Sequence, residues 1–438
     1  MKILEELRRK LFWFIDALKG NKVKNHLKDI TFILENYNTK EASGRREDIL
    51  KKYLDHAVGT TAFYKSYRDY DDITDFPVIS KMDIRESYQD LLSEPFKNKK
   101  TIEIATSGTT GIPFKIRQDQ NKKYRNVADT FYFGGKGGYK IGDRLYYVRK
   151  WVKETKRSKI GLFVTNIKQI NVTDFSKRFL GNLVSRMSSD SSTKALLGYS
   201  SALGDICRYM EETNAPPVKK RFLSIISMAE ALSEATRSNL EKYFGAPVVS
   251  RYSNSENGII AQQLLNEGDD YHINWASYYV ELLNLENDSP VKAGQLGRIV
   301  ITDMFNYCMP MIRYDTGDLG ILDTKNTNFN NAPVLKAIEG RIMDVIYSTK
   351  GEPLSPFVAF EMEYFTELKQ FQLIQEGALN YTAKLNLDGF FENEVKLAER
   401  LKKFLGQDAI IDFQYVDEFP QLASGKRRLT INNYKQPA

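Results

Sequence analysis

The stretch Thr106-Ser-Gly-Thr-Thr-Gly-Ile-Pro113 is the most informative segment of this 438-residue chain. Apolar residues alternate over residues 102–104 before it and 114–116 after it, which predicts two short strands joined by a turn. A turn with two glycines and four hydroxyls can aim backbone N–H groups and hydroxyl donors at one anionic group, such as the phosphates of a nucleotide. No Gly-Lys-Ser/Thr follows, so this is not a Walker loop. A plain Ser/Thr/Gly hairpin turn is the alternative.

The composition is that of an ordinary globular protein. Hydrophobic residues make up 42% and charged residues 27% of the chain, and the net charge of +7 is mixed in sign. The length predicts two or three domains. No long basic run indicates a nucleic-acid partner. Cys207 and Cys308 stand far apart without neighbouring histidines, which argues against a disulfide framework or a zinc site and favours a reducing cytoplasm.

No run of 18 apolar residues and no signal-peptide pattern is present, so neither a membrane span nor export is expected. The first residues nevertheless predict an amphipathic helix, whose apolar stripe consists of Ile3, Leu4, Leu7, Leu11, Phe14, Ile15 and Leu18. Packing of this stripe on the domain or on a partner subunit is one interpretation. Peripheral contact with an anionic membrane surface is the other.

The remainder of the chain predicts an α/β protein with two domains. From residue 101 onward, short β-rich runs alternate with helical runs, which favours an α/β core with several strands. After Gly340 the pattern changes to a smaller unit with strands over 371–376, 381–387 and 410–416 and a helix over 392–405. We therefore predict a large domain over 1–340 and a small domain over 341–438.

Four further segments contain candidate ligand-binding or catalytic residues. A carboxylate at the end of a strand lies where α/β sheets place ligands, and a carboxylate can accept two hydrogen bonds from a ribose diol. The segments are Arg251-Tyr-Ser-Asn-Ser-Glu256, Arg313-Tyr-Asp-Thr-Gly-Asp318, Gly340-Arg-Ile-Met-Asp344 and Pro420-Gln-Leu-Ala-Ser-Gly-Lys426. Taken singly, each has a structural explanation, namely a helix cap at Glu256, a turn at Asp318, a surface ion pair between Arg341 and Asp344, and a solvated lysine at Lys426.

The order of these segments resembles the adenylate-forming superfamily, which includes acyl-CoA synthetases, the adenylation domains of peptide synthetases and luciferases. The resemblance covers about residues 50 to 430. The segments over 61–64 and 77–81 are similar to the phenylacetate–CoA ligase and CapK branch, which is associated with capsular polysaccharide synthesis. The resemblance implies a large N-terminal α/β domain and a small, mobile C-terminal α+β lid domain.

The resemblance also implies residue roles. ATP phosphates would be held by Ser107, Gly108, Thr109, Thr110 and Gly111. Glu230, in the segment that flanks adenine, and Tyr252 would contact the base, and Ser255 would touch the α-phosphate. Glu256 would ligate Mg²⁺, Asp318 would bind the ribose hydroxyls and Arg341 would assist near ribose or phosphate. Asp344 would be the hinge, and Lys426 would contact the substrate carboxylate and the α-phosphate, so that Lys426, Glu256 and Thr109 are the predicted catalytic residues. Asp315 stands where the family commonly has arginine.

The implied reaction is the activation of a carboxylic acid as an acyl-adenylate, with ATP and Mg²⁺ as cofactors, release of pyrophosphate and transfer of the acyl group to coenzyme A. Three alternatives stay open. They are CapK-like acyl or aminoacyl ligation to a sugar or amine in surface polysaccharide synthesis, transfer of AMP to a small molecule, and a nucleotide-binding regulatory protein without catalysis. A homodimer is also expected.

Two surfaces of the site have alternative interpretations. Lys122, Lys123 and Arg125 are candidates for a basic face that would receive the pantetheine-type acceptor, although a solvated charged face explains them equally well. The aromatic and glycine residues 131–135 could line the pocket for the carboxylic acid or pack in the core.

Overall fold

The computed structural model spans the 438-residue chain and describes it apart from residues 1, 107–113, 152–158, 219–220, 285–286, 325–330, 340–345, 355–357, 359–361, 363–364, 366, 369, 388, 390, 418–429 and 435–438. The described residues form two compact units, of which the larger contains residues 114–338 and almost all of the preceding chain, and the smaller contains residues 339–438. The predicted domain boundary after residue 340 lies outside the described residues and stays a prediction.

The larger unit begins with helices and ends with strands. In chain order, its described elements are α1 (Lys2–Leu18), α2 (Lys22–Glu35), α3 (Lys40–Thr60), α4 (Lys81–Glu86), β1 (Ile102–Thr106), β2 (Phe114–Gln118), α5 (Gln120–Lys136), β3 (Arg144–Arg149), α6 (Lys159–Thr165), β4 (Ile167–Asn171), α7 (Lys177–Ser189), β5 (Lys194–Tyr199), α8 (Ser200–Glu212), β6 (Phe222–Met228), α9 (Glu234–Phe244), β7 (Val248–Asn254), β8 (Gly258–Gln263), β9 (Tyr271–Ile273), β10 (Tyr278–Leu283), β11 (Leu296–Asp303), β12 (Tyr314–Asp323) and β13 (Val334–Glu339).

The larger unit is built on one eleven-stranded sheet in the order β10-β11-β12-β13-β9-β8-β7-β6-β5-β3-β4. The five strands β7, β6, β5, β3 and β4 run parallel, whereas β8 to β11 pair with their described neighbours in antiparallel fashion. Both faces of the parallel strands are covered. Leu196 and Ile225 pack in the core beneath α7, α8 and α9, while their chain neighbours Leu197 and Ile226 pack in the core of the opposite face.

Local sequence signals account for many of these elements. The N-cap hydroxyl of Ser233 accepts a hydrogen bond from the Thr236 N–H and starts α9, and Gly245 ends that helix with φ of 60°. The predicted strand pair around the opening loop is present as β1 and β2, which pair antiparallel with Ile104 opposite Ile116. The prediction of an α/β core with several strands is thus confirmed.

The apolar stripe of helix α1 does not pack on its own domain, which was one of the expected arrangements, whereas packing on a partner subunit stays a prediction. Six residues of the stripe, Ile3, Leu4, Leu7, Leu11, Phe14 and Leu18, are among the exposed large hydrophobic side chains of the described chain. The opposite side of the helix meets the protein instead. The rings of Phe12 and Trp13 lie 5.0 and 5.7 Å from the ring of Phe131.

The smaller unit holds a four-stranded sheet in the order β18-β17-β16-β19. Its described elements are β14 (Ile346–Tyr347), β15 (Pro353–Leu354), β16 (Gln370–Gln375), β17 (Asn380–Asn386), α10 (Glu394–Leu405), β18 (Ile410–Tyr415) and β19 (Thr430–Asn432). Strands β16 and β17 form an antiparallel hairpin, and β18 and β19 add parallel strands at its two edges. Leu397, Leu401 and Leu405 of α10 are fully buried in the core of this unit. The small α+β unit expected at the C-terminus is therefore present.

Candidate active site

The carboxyl ends of β5, β6 and β7 meet at one edge of the large sheet. Tyr199 ends β5 and leads directly into α8, and its backbone partner on β6 is Met228. Ala229 follows with φ of 70°, a left-handed conformation that a side chain seldom adopts and that often marks a functional turn. The Glu230 carboxylate accepts a hydrogen bond of 2.7 Å from the Ser201 N–H in the first turn of α8. This turn is therefore held by a negative side chain at a helix N-terminus.

A reciprocal pair of hydrogen bonds joins the end of β7 to β12. The hydroxyl of Tyr252 donates to Oδ2 of Asp318 at 2.6 Å, and the hydroxyl of Tyr314 donates to Oε1 of Glu256 at 2.9 Å. Each segment thus supplies one tyrosine and one buried carboxylate. Because a hydrogen bond to an ionised group is stronger and shorter than a neutral one, this crossed pair holds both carboxylates in fixed orientations.

Tyr314, Thr316 and Asp318 lie on one face of β12 because successive side chains of a strand alternate. The Thr316 hydroxyl donates to the Ile299 carbonyl at 2.8 Å and accepts from the Asp318 N–H at 3.1 Å. Between them Gly317 takes φ of 75°, which glycine adopts at no steric cost. The strand therefore turns sharply at the residue before the Asp318 carboxylate.

Glu256 is held from three sides. Its backbone carbonyl accepts from the Gln118 side chain at 2.7 Å, and the Nζ of Lys81 lies 3.6 Å from its Oε1. Lys81 is the first residue of α4, which Ser80 starts by a capping exchange with Asp83. Ile79, just before it, pairs in parallel with Tyr314. The segment over 77–81 therefore brings a partly exposed lysine to the predicted metal ligand.

Two charged neighbours of the site residues have different surroundings. Asp315 stands where the superfamily that the chain resembles commonly has arginine. It accepts a hydrogen bond from Arg298 Nη1 at 2.5 Å. Arg251 is buried, its Nε donates to Gln262 at 2.7 Å, and burial lowers the pKa of its guanidinium to about 10. Arg251 therefore carries a positive charge inside the sheet, directly before Tyr252.

The residues present fit a magnesium ion that is held mainly by substrate. Mg²⁺ in nucleotide sites is bound through one or two carboxylates and the phosphates, with water completing the shell. Glu256 supplies such a carboxylate, whose oxygen already has a cation, Lys81, at 3.6 Å. Within the described residues no group of three or more His, Cys, Asp or Glu side chains could hold a metal by itself. Among the described residues, the carboxylate of Glu256 is thus the group that could serve a magnesium ion in this way.

Of the predicted site residues, the structure brings Tyr252 together with Asp318 and places Glu256 beside them through Tyr314. Ser255 is exposed on the turn between β7 and β8, and Glu230 lies at the end of β6. Eight predicted residues, Ser107, Gly108, Thr109, Thr110, Gly111, Arg341, Asp344 and Lys426, lie outside the described residues, and their roles stay predictions.

One expectation about the surroundings of the site is corrected. Lys122 and Arg125 do not form a basic face, because both side chains are fully buried and paired, Lys122 Nζ with Asp303 at 2.7 Å and Arg125 Nη1 with Asp29 at 2.7 Å. Lys123 alone of the three is exposed.

The aromatic residues of 131–135 are explained by packing. Tyr132 and Phe133 are buried in the main core, and Phe131 packs against α1. Their position on α5, within the core formed with α2, supports the interpretation that they stabilise the domain.

Sequence reasoning missed Tyr314 and Lys81 as members of the site. In the motif that contains Tyr314, a function was predicted for the final aspartate alone, and Lys81 was noted only as part of the segment over 77–81. The alternation of residues 314, 316 and 318 on one strand was the available signal for Tyr314. No local signal places Lys81 beside Glu256, which is 175 positions later in the chain.

The chain is similar in sequence to several known proteins. A family model described as the CapK C-terminal domain matches residues 347–433. The chain is 24% identical to protein CapK of Staphylococcus aureus over 381 residues, which is 83% of this chain and 81% of that protein. It is 23% identical to a phenylacetate–coenzyme A ligase of Escherichia coli over 65% of this chain and 68% of that enzyme.

Among solved structures, a 2-hydroxyisobutyryl-CoA ligase in its postadenylation state superposes with a TM-score of 0.73 at 18% identity and covers 91% of both chains. The chain is therefore similar in sequence to CapK and to phenylacetate–coenzyme A ligases, and its structural neighbours are acyl-CoA ligases. An anthranilate–CoA ligase in complex with anthranoyl-AMP gives a TM-score of 0.56 at 15% identity over 74% of this chain and 64% of that one. The fold of the chain is thus that of an adenylate-forming ligase.

Proposed function

We propose that this protein activates a carboxylic acid with ATP, forms an acyl-adenylate with release of pyrophosphate, and passes the acyl group to coenzyme A. The crossed pair of tyrosine and carboxylate side chains carries the proposal, because it fixes two buried carboxylates, one after the carboxyl end of β7 and one within β12. The relatives support the same chemistry. They include phenylacetate–coenzyme A ligases and a 2-hydroxyisobutyryl-CoA ligase crystallised with 2-HIB-AMP and CoA.

The roles follow from the chemistry of the groups. Asp318 would accept hydrogen bonds from the ribose diol, with Tyr252 holding its orientation. Glu230 and Tyr252 would flank the base, and Ser255 would reach the α-phosphate from its exposed turn. A magnesium ion on Glu256 would neutralise charge on the phosphates.

The remaining proposed roles concern the phosphates and the reacting carboxylate. The hydroxyls and N–H groups of residues 107–111 would hold the phosphates, and Arg341 would assist there. Lys426 would pair with the substrate carboxylate and the α-phosphate while the carboxylate oxygen attacks phosphorus and pyrophosphate leaves. Fixed donors and a lysine stabilise the negative charge that grows on the phosphate oxygens in this step. The hinge at Asp344 would then withdraw the lysine so that the acceptor can enter.

ATP–pyrophosphate exchange with a panel of aryl, fatty, hydroxy and amino acids, without coenzyme A, tests the first half of the reaction. One acid should drive exchange. Lys426→Ala should abolish exchange while ATP binding, followed by calorimetry, persists. Lys403→Ala, which removes an exposed lysine from α10 in the same unit, is the matched control and should exchange normally. Normal exchange by Lys426→Ala would contradict the assigned role of that lysine.

A second candidate is ligation of the activated acid to a sugar or amine, as the likeness to CapK suggests. One observation favours it. Because Lys122 and Arg125 are buried in ion pairs, the basic face that would have received a pantetheine-type acceptor is not formed by them. Once the acid is known, thioester formation with coenzyme A would support the first proposal. An amide or ester that forms only when an amine or a sugar is supplied, with no thioester in the presence of coenzyme A, would support the second.

Two further alternatives have their own signatures. Labelled AMP found on an acceptor, with no acyl transfer, would identify AMP transfer. ATP binding with no exchange for any acid would identify a nucleotide-binding regulatory protein. The predicted homodimer, the cytoplasmic location and the membrane contact of the N-terminal helix also stay predictions. Among the described helices, none is long and apolar enough to cross a membrane.

A further inference from the structure

In addition to the aromatic packing of Phe12 and Trp13, helix α1 binds the rest of its unit through polar groups. The Glu5 carboxylate is buried and accepts from the Thr193 N–H at 2.9 Å, and Arg9 Nε donates to the Ile141 carbonyl at 3.0 Å. At the other end of the helix, the buried Asp16 accepts from the N–H groups of Val23 and Lys24 at 3.0 and 2.9 Å and so caps α2. These bonds determine which side of the helix faces the protein.

The opposite side of α1 is an apolar surface, which we call the outer stripe. It comprises Ile3, Leu4, Leu7, Leu11, Phe14 and Leu18, which are between 40% and 76% exposed. At the helical period these six side chains fall within about a third of the helix circumference. Phe163 of α6, also exposed, extends the same surface, since its ring lies 5.1 Å from the guanidinium of Arg8 on α1. A contiguous apolar surface of this kind usually marks an interaction site.

The charges around the outer stripe are nearly all positive. Residues 2–19, which comprise α1 and the residue after it, hold five Lys or Arg against three Asp or Glu. Of the three acids, Glu5 and Asp16 are buried, and Glu6 is paired with Arg9 at 2.5 Å. By contrast, the exposed residues Lys10 and Lys19 take part in no ion pair within the described part of the chain.

The positive charge continues beyond α1. The pKa of Lys168, which is exposed on β4, is lowered by desolvation and then by the nearby guanidinium groups of Arg144 and Arg186, whereas Asp190 opposes the shift and Arg8 adds to it. At the helical period, Arg8 and Lys19 lie on one flank of the outer stripe and Lys10 on the other, and we call these basic residues the basic margins of the stripe.

We propose that the outer stripe of α1 lies on an anionic lipid bilayer, with its apolar side chains at the acyl boundary and the surrounding lysines and arginines at the lipid headgroups. An apolar helix face with basic flanks is the form of interfacial helices, whose long basic side chains reach to the headgroups while their stems stay apolar. A second copy of the chain suits this surface less well. A two-fold dimer through the stripe would bring two basic margins together.

The inference goes beyond the proposed reaction and does not depend on it. Membrane binding through α1 would place the activation step close to an acceptor in the membrane. Binding to vesicles can be measured without any substrate. The failure of one proposal therefore leaves the other testable.

Sedimentation of the full chain with vesicles tests the proposal. The protein should bind phosphatidylcholine vesicles that contain about 30 mol % phosphatidylglycerol and should not bind pure phosphatidylcholine vesicles. Replacing three outer side chains in the variant Leu7→Ser/Phe14→Ser/Leu18→Ser should lower the partition constant at least about tenfold. Because these side chains face outward, the variant should melt within about 2 °C of the unmodified protein. The matched control, Val395→Ser/Ile410→Ser, removes exposed apolar side chains from the smaller unit and should bind normally.

A charge variant keeps the proposal testable if the triple variant misfolds. Each basic residue near an anionic surface contributes about fivefold to the partition constant, so Lys10→Glu/Lys19→Glu should weaken binding on the order of 30-fold or more. Lys52→Glu/Lys292→Glu makes the same change of net charge at exposed positions outside α1 and should bind nearly as the unmodified protein does. Equal loss in both charge variants, or undiminished binding by the triple variant, would overturn the proposal. So would a lipid-free dimer that the triple variant converts to monomer, without vesicle binding.

Discussion

The buried pair of Lys122 and Asp303 gives the most quantitative prediction. Both side chains are fully buried, with Nζ 2.7 Å from Oδ2, and Lys122 also donates to the Tyr278 hydroxyl at 3.2 Å. Burial raises the pKa of Asp303, and the Lys122 ammonium is the largest opposing influence. We expect Lys122→Met to lower the free energy of unfolding by about 3–5 kcal/mol, because it leaves a buried carboxylate without its cation.

The assay is urea unfolding followed by tryptophan fluorescence, with Lys123→Met as the matched control. Lys123 is exposed on the same turn of α5, so its replacement should change stability by less than about 0.5 kcal/mol. The double variant Lys122→Met/Asp303→Asn should recover at least about 1.5 kcal/mol of the loss, since the amide oxygen can still accept from the Phe305 N–H.

The loss should also depend on pH with a definite sign. Without Lys122, the folded-state pKa of Asp303 rises further above its unfolded value of about 4, so the penalty is small below about pH 4 and grows as the pH rises toward 7. Stability of Lys122→Met within about 1 kcal/mol of the unmodified protein would refute the reasoning. If Lys122→Met had unchanged stability and a raised KM for coenzyme A, Lys122 would instead belong to a surface that binds the acceptor.

Three further predictions concern the candidate active site and the residues against which α1 packs. Tyr252→Phe removes the hydroxyl that donates to Asp318 at 2.6 Å. It should raise the KM for ATP in exchange assays about 5- to 20-fold with little change in kcat. An unchanged KM would show that the hydrogen bond between Tyr252 and Asp318 does not contribute to nucleotide binding. Burial raises the pKa of Asp143 to about 6, above the unfolded value of about 4, so this residue's contribution to stability falls as the pH rises through that interval. Asp143→Asn should remove this dependence and gain about 1–2 kcal/mol at pH 7 relative to pH 4 in urea titrations, whereas parallel pH profiles would contradict the assignment. A Cβ at Gly142, where φ is 97°, would lie 2.3 Å from the Glu5 carbonyl oxygen. Gly142→Ala should therefore destabilise the unit by about 2 kcal/mol or more and expose α1 to proteolysis. A variant as resistant to protease as the unmodified protein would show that the helix can shift.

Much of the fold could be predicted because its signals are local. The buried run that forms β6 and the Ser233 cap that starts α9 are readable from a few neighbouring residues. The carboxylates of Glu256 and Asp318 were likewise found from the short motifs that contain them. The order of strands in the large sheet is not local, because β7 and β12 are separated in the sheet by β8, β9 and β13.

Site partners that depend on this order could not be predicted. Tyr314 reaches Glu256 across 58 positions of the chain, and Tyr252 reaches Asp318 across 66. The prediction of a basic face formed by Lys122 and Arg125 was wrong for the same reason. A lysine in a sequence is most often solvated, and only the arrival of Asp303 from β11, with Asp29 from α2 beside Arg125, offsets the free-energy cost of burying these charges.

Helix α1 shows a different limit of sequence reasoning. The spacing of its leucines correctly identifies one apolar and one polar face, but periodicity does not say which face meets the protein. That choice depends on whether the polar face finds partners. The carboxylate of Glu5 finds the Thr193 N–H and that of Asp16 finds two N–H groups at the start of α2, so the polar groups are satisfied on the inside. Once those bonds form, the helix cannot rotate to bury its leucines without leaving buried donors unpaired. The apolar face of α1 is therefore held outward by the polar contacts of the opposite face, and it is this arrangement that makes a membrane surface the partner to test.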